Sequence, residues 1–149
     1  MRLKDQIAVV SGAAQGIGRG IAELFSDEGA KVMLLDVNTV EGLQTSSTIQ
    51  NAEFFHCNVA HKVDVDNTIT SIVERHKRID ICVNNAGILR SGDVLEISEE
   101  DFDQVLAVNL KGAFLLSQAV AHHMVALGHG SIINMSSVNG LMTIPTILP

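Results

Sequence analysis

Short apolar runs recur along the chain at Ile7–Val10, Val32–Leu35, Glu53–Cys57, Ile79–Val83 and Ser131–Met135. They are continuous and mostly rich in Val and Ile. That is the pattern of strands covered by helices on both faces of a parallel sheet. The segments between them carry helical periodicity. The first helix is predicted from about Gly16 to Glu28, with Ile17, Ile21, Leu24 and Phe25 on one face and Gly29 as its stop. The second, near Thr39–Gln50, is weak and rich in Ser and Thr. The third, near Val63–His76, places Val65, Ile69, Ile72 and Val73 at helical spacing. The fourth is the longest. Ser98 caps it, and Glu99, Glu100 and Asp101 fill its first turn, where negative charge suits the helix dipole. It runs to about Leu127 and is stopped by Gly128 and Gly130. Its apolar residues, from Phe102 through Phe114 to Leu127, wrap more than one face, so contact is expected with the sheet on one side and something else on the other. Strict alternation of strand and helix makes this an α/β chain with a doubly wound sheet and right-handed crossovers.

Composition narrows the picture. A chain of 149 residues has the size of one domain and buries ~70% of its unfolded surface. The hydrophobic share of 46% excludes a disordered chain. A formal net charge of -7 argues against partners such as nucleic acid or an anionic membrane. The longest apolar stretch is broken by Lys111, Gln118, His122 and His123, so no membrane span is expected. The charged start, Met1–Gln6, leads into an apolar run too short for a signal-peptide core. Cys57 and Cys82 fall in predicted buried strands and read as reduced core thiols of a cytoplasmic protein. The six histidines show no ligand spacing, so no metal is expected.

Chemistry concentrates where strands end. Gly12, Gly16 and Gly18 follow the first strand at a Gly-x3-Gly-x-Gly spacing and open a helix. Glycine permits a tight turn and close approach of a ligand, and the helix N-terminus offers free N–H groups. The stretch with Gln15 and Ile17 therefore suits a dinucleotide pyrophosphate; the alternative is a purely structural turn. Gln15 is neutral, whereas Arg or Lys there would pair with the extra phosphate of NADP. Asp36 ends the second strand, 18 residues after Gly18. A carboxylate at that place accepts hydrogen bonds from ribose hydroxyls and repels a 2′-phosphate, which favours NAD. The other reading is an exposed acid in an Asp-Val-Asn turn. Asn58 and Val59 follow the third strand, where Asn58 suits an adenine amine or, equally, a plain Asn turn.

With Asn84-Asn85-Ala86-Gly87 after the fourth strand, Asn109 in the long helix and Ser137 after Ile132-Ile133-Asn134-Met135, the chain resembles the short-chain dehydrogenases/reductases, in their "classical" subfamily. The resemblance runs from Lys4 to Pro149. It implies a Rossmann-type, doubly wound parallel sheet in three αβα layers, incomplete at its C-terminal end. It implies NAD as cofactor, with Asn85, Ala86 and Gly87 lining the adenosine pocket and Val108 among the cofactor contacts. Asn109, at a bend in the long helix, would hold a water of a proton relay. Ser137, selected by register over Ser136, would bind the substrate oxygen.

The acid/base Tyr-x3-Lys motif of that family is expected just after Pro149, and the 149 residues contain no tyrosine. Residues 1–149 then form an NAD-binding domain that is the N-terminal portion of a longer one. The expected reaction is hydride transfer between a small secondary alcohol or ketone and NAD, with the chain by itself inactive. Its alternatives are an NAD-binding module or sensor without catalysis and an inert fragment. A homodimer or homotetramer built on the long helix 98–127 is also expected.

Overall fold

The computed structural model describes residues 1–93 and 95–141. Among these residues five parallel strands form one sheet: β1 (Ile7–Ser11), β2 (Lys31–Asp36), β3 (Ala52–His56), β4 (Ile81–Asn84) and β5 (Ser131–Asn134). Their order is β3-β2-β1-β4-β5. Among the described residues five α-helices accompany them: α1 (Gly16–Asp27), α2 (Thr39–Thr48), α3 (Lys62–His76), α4 (Glu99–Leu106) and α5 (Ala113–Leu127).

Successive side chains of a strand point to opposite faces, and the three inner strands divide their apolar residues accordingly. Ile7, Val9, Met33, Leu35 and Cys82 pack with Val65, Ile69 and Ile72 of α3 and Leu115, Leu116, Val120 and Met124 of α5. Ala8, Val10, Val32, Leu34, Ile81 and Val83 pack on the other face with Ala22, Ile21 and Phe25 of α1. Two cores on one sheet give the three-layer α/β arrangement of the Rossmann type. The chain builds β1, β2 and β3 outward in one direction, then returns to place β4 on the far side of β1. The C-terminal ends of β1 and β4 therefore flank a crevice, the place where open parallel sheets take ligands.

Four sequence expectations change. The buried stripe of α1 is Gly18, Ala22 and Ser26, while Ile17 and Leu24 are exposed. The small residues face the sheet because α1 lies close to it. The two outer strands are not sandwiched: β3 is half-buried and β5 is exposed at all four positions. Among the described residues, each pairs with a neighbour along one edge only. The long helix is continuous over Glu99–Leu127 but is π-helical over Ala107–Gly112, between α4 and α5. Ser98 caps it as expected, its Oγ accepting from the Asp101 N–H at 3.1 Å. By length and composition this helix is apolar enough to cross a membrane, contrary to the sequence expectation. A core helix meets the same test, and Val105, Leu115, Leu116, Val120 and Met124 are buried in the protein.

Candidate functional site

The turn after β1 is held from several elements at once. Ser11 ends the strand, and its Oγ accepts from the N–H groups of Asn85 and Ala86, both at 3.1 Å, while donating to the Val83 carbonyl. Asn85 Nδ2 returns the tie by donating to the carbonyls of Ser11 (3.0 Å) and Gly12 (3.1 Å). The turn after β1 and the loop after β4 are thus bonded across the crevice by both main chain and side chain.

The glycines serve different ends. Gly12 has φ +64°, and a Cβ there would stand 2.8 Å from Ala86 Cα. Gly16 has φ +57°, and a Cβ there would meet nothing, so the space beside it is open. Gly18 has ordinary helical backbone, yet its Cβ would clash with the Gly12 carbonyl and lie 2.6 Å from Asn85 Nδ2. Gly18 therefore packs the helix onto the turn without lining the cleft. No side chain caps the N-terminus of α1, so its first N–H groups face no capping acceptor. Left-handed glycines, open space and uncapped N–H groups together fit an anionic pyrophosphate.

Around this turn lies a cleft of about 440 Å³, lined in part by Gly12, Gln15, Gly16, Asp36, Asn58 and Val59. Asn85, Ala86, Gly87 and Val108 complete the set of sequence candidates found there. Asp36 is anchored by backbone: Oδ2 accepts from the Ala14 N–H and Oδ1 from the Asn38 N–H, each at 3.0 Å. Asn58 makes the Asn turn, its Oδ1 accepting from Ala60 N–H at 3.0 Å, and lines the cleft as well, so its two readings coexist. A Cβ on Gly112 would fall 2.7 Å from Val59 Cγ2, so the long helix presses directly against the Val59 wall.

A second cleft, of about 760 Å³, shares Asn85, Ala86 and Gly87 with the first and holds Ile17, Asn109 and Ser137. Asn109 sits in the π-helical turn. Its Oδ1 accepts from the Ile88 N–H (2.8 Å) and its Nδ2 donates to the Ile88 carbonyl (3.0 Å), as a neighbouring strand would. π-Helical turns inside α-helices occur frequently at functional sites, and this one aims Asn109 at the loop after β4. Ser137 is exposed, and its Oγ accepts from the Asn139 N–H at 3.2 Å. Below it, Asn84 Nδ2 bridges Ser117 Oγ and Asn134 Oδ1, both at 2.7 Å, and links α5, β4 and β5.

Sequence reasoning missed Ser11, Thr45 and Ser117 as organisers of these clefts. A hydroxyl at the end of an apolar strand was the only signal for Ser11; its partners lie more than seventy residues away. Both cysteines are buried and their thiols are held toward the protonated form. Burial raises the Cys57 thiol against a hydrogen bond with Thr68, and burial alone pushes Cys82 up to about 12. Among the described residues no three His, Cys, Asp or Glu side chains converge as metal ligands.

A family model described as short chain dehydrogenase matches residues 6–149. The chain is 40% identical over 149 residues to an uncharacterized oxidoreductase of Thermotoga maritima, covering 97% of this chain and 59% of that protein. It is 38% identical to a D-threitol dehydrogenase of Mycolicibacterium smegmatis, with 91% of this chain and 54% of that one covered. It is 35% identical to an NAD-dependent glycerol dehydrogenase of Listeria innocua, with the same coverage, 91% and 54%. The chain spans a little over half the length of these relatives. With the glycine turn, the acid after β2 and the π-helical asparagine in place, this chain belongs to the short-chain dehydrogenase family.

Proposed function

We propose that the chain binds NAD and, as part of an oxidoreductase, serves hydride transfer between a small alcohol and its ketone. Asp36 carries this reading. It places a carboxylate at the lip of the glycine-turn cleft, in a lining that holds no lysine or arginine. A 2′-phosphate there would meet a like charge with no counter-charge, whereas ribose hydroxyls would meet acceptor lone pairs left over from the two backbone bonds. The Listeria relative, named as NAD-dependent, supports the same preference.

When bound, the nicotinamide supplies the hydride acceptor or donor. The chain's own residues bind and orient. Gly12, Gly16 and the uncapped start of α1 receive the pyrophosphate. Asp36 fixes the ribose, and Asn58, Val59 and Val108 wall the adenine side. Asn109 holds the loop after β4 against the π-helical turn. Each polar atom of its side chain makes one bond to Ile88, which leaves a lone pair on Oδ1 and a hydrogen on Nδ2 for a water of the proton path. Ser137 Oγ already accepts a bond from Asn139, which leaves its own proton to donate to a substrate oxygen. The general acid of the reaction is not among these 149 residues, which contain no tyrosine. A polypeptide of these residues alone is therefore expected to bind NAD without turning it over. The exposed apolar side of the long helix, with Phe102, Leu110 and Phe114, suits a second copy of the chain, as a homodimer or homotetramer.

The test is a calorimetric titration of NAD and NADP. NAD is expected to bind on the order of one hundredfold more tightly, the effect of a like-charge clash of a few kcal/mol. Equal affinities would remove Asp36 from this role.

A further inference from the structure

The second helix is rich in hydroxyls, and they are not equivalent. Ser46, Ser47 and Thr48 donate to carbonyls three residues earlier, local bonds that weaken a helix without reaching beyond it. Thr45 does something else. It is 1% exposed, and its Oγ1 donates at 2.7 Å to the Ala14 carbonyl, inside the glycine turn and 31 residues away. Ala14 is equally buried, and its N–H is the group that donates to Asp36 Oδ2. One residue of the turn is thereby gripped on both sides, by the acid after β2 and by α2.

The grip depends on where α2 lies. A Cβ on Gly42 would fall 2.8 Å from Phe54 Cζ and nearer still to other ring carbons, so the helix rests directly on β3 at that point. Thr45 is three residues further on, on the same face. Asn38 fixes the start of the helix, its Oδ1 accepting from the Glu41 N–H and its own N–H donating to Asp36 Oδ1.

We infer that Thr45 is a positioning residue for the phosphate-binding turn, an assignment that rests on the NAD reading above. The Ala14 carbonyl and the Gln15 N–H share one peptide plane and point in opposite directions. Holding the carbonyl toward α2 turns the Gln15 N–H away from it, at the entrance to α1 where the pyrophosphate would lie. Without the hydroxyl, a buried carbonyl loses its donor and the plane is free to rotate to find another. The damage should therefore fall on ligands that carry phosphate.

The experiment compares NAD, ADP and adenosine binding to the wild-type chain, Thr45→Val and Thr45→Ser. Valine keeps the shape and removes the donor; serine keeps the donor. Thr45→Val is expected to weaken NAD and ADP by about tenfold, the effect of one misplaced hydrogen bond. Adenosine should change by less than about twofold, and Thr45→Ser should restore NAD to within about threefold, since its hydroxyl still donates. If the valine variant does not fold, Thr45→Ala takes its place with the same ordering expected. An equal loss for ADP and adenosine, unchanged ADP affinity in the valine variant, or no recovery with serine would overturn the inference and leave the NAD reading standing. A wild-type chain that binds neither NAD nor ADP would overturn both.

Discussion

The two clefts meet at Asn85–Gly87 but are built differently. The glycine-turn cleft is bonded from four elements: Ser11 of β1, Asp36 of β2, Thr45 of α2 and Asn85 after β4 all converge on a few peptide groups. The strands beneath it, β1 and β4, are buried on both faces. The Ser137 cleft has Asn109 clamped to Ile88 on one side, but Ser137 itself is held by a bond to a residue two positions away. The strand that leads to it, β5, is exposed throughout. On the NAD proposal, this pocket would present fixed dipoles to a phosphate and would gain from rigid, redundant support. In the second cleft, Ser137 itself is held, among the described residues, only by the short-range bond to Asn139.

Glycines offer the sharpest contrast. Gly18→Val would drive a side chain into the Gly12 carbonyl and Asn85, and should cost about 3 kcal/mol of stability and abolish NAD binding. In the other cleft the nearest atom to a Cβ on Gly140 is Ser136 Oγ at 3.8 Å, so Gly140→Ala should change stability by less than about 0.5 kcal/mol. Thermal melts of both variants decide the matter; similar losses would mean that the clefts are equally constrained.

Next in size is the charge of Asp36 at the lip of the glycine-turn cleft. Asp36→Asn keeps the shape and removes the charge. It should shrink the NAD preference from about one hundredfold to less than about tenfold, read by titrating both nucleotides. A preference that survives this change points to shape and not charge as its cause. In the second cleft, Asn109→Leu removes two bonds to Ile88 and should destabilise by about 1–2 kcal/mol. Ser137→Ala, by contrast, should leave stability within about 0.5 kcal/mol, because its hydroxyl is exposed. Denaturant titration distinguishes them, and a large loss with Ser137→Ala would assign that hydroxyl a structural role.

The smallest effect lies where the end of α3 meets β3. Burial, reinforced by Lys31 and opposed by the neighbouring Glu53, lowers His76 from its ordinary 6.5, so the folded protein takes up this proton at a lower pH than the unfolded chain. Its contribution is complete above about pH 6.5 and is lost as pH falls through that value toward the folded one. Burial works to raise Glu53, but its bonds from Lys31 and Arg75 outweigh this and hold it below its ordinary 4.5. That support persists until pH drops below 4.5. The melting temperature should therefore fall modestly from pH 7 to 5, less so in His76→Gln, and further below pH 4.5. A His76→Gln profile that parallels wild type between pH 7 and 5 would exclude His76 as the source.

Local patterns carried a good part of this. The inner strands, the Ser98 cap, the stripe of α3, and Asp36 and the glycines beside a crevice were all legible because each depends on residues close in sequence. The outer strands were not, since the same apolar run is buried in β4 and exposed in β5 according to what lies beside it. Asn58 shows the limit of a motif, as its turn and its place in the cleft are compatible and sequence alone could not join them.

Sequence by itself determined the βα alternation, the spacing of the glycine turn and the position of the acid after β2, because periodicity and backbone permissiveness act over a few residues. Only the tertiary structure decided that Ser11 meets Ala86, that Asn109 pairs with Ile88 and that Thr45 reaches Ala14. Each is a hydroxyl or amide with many acceptors and donors in reach of an unfolded chain. Its partner is chosen by the packing that brings strands and helices from distant parts of the sequence to the same crevice.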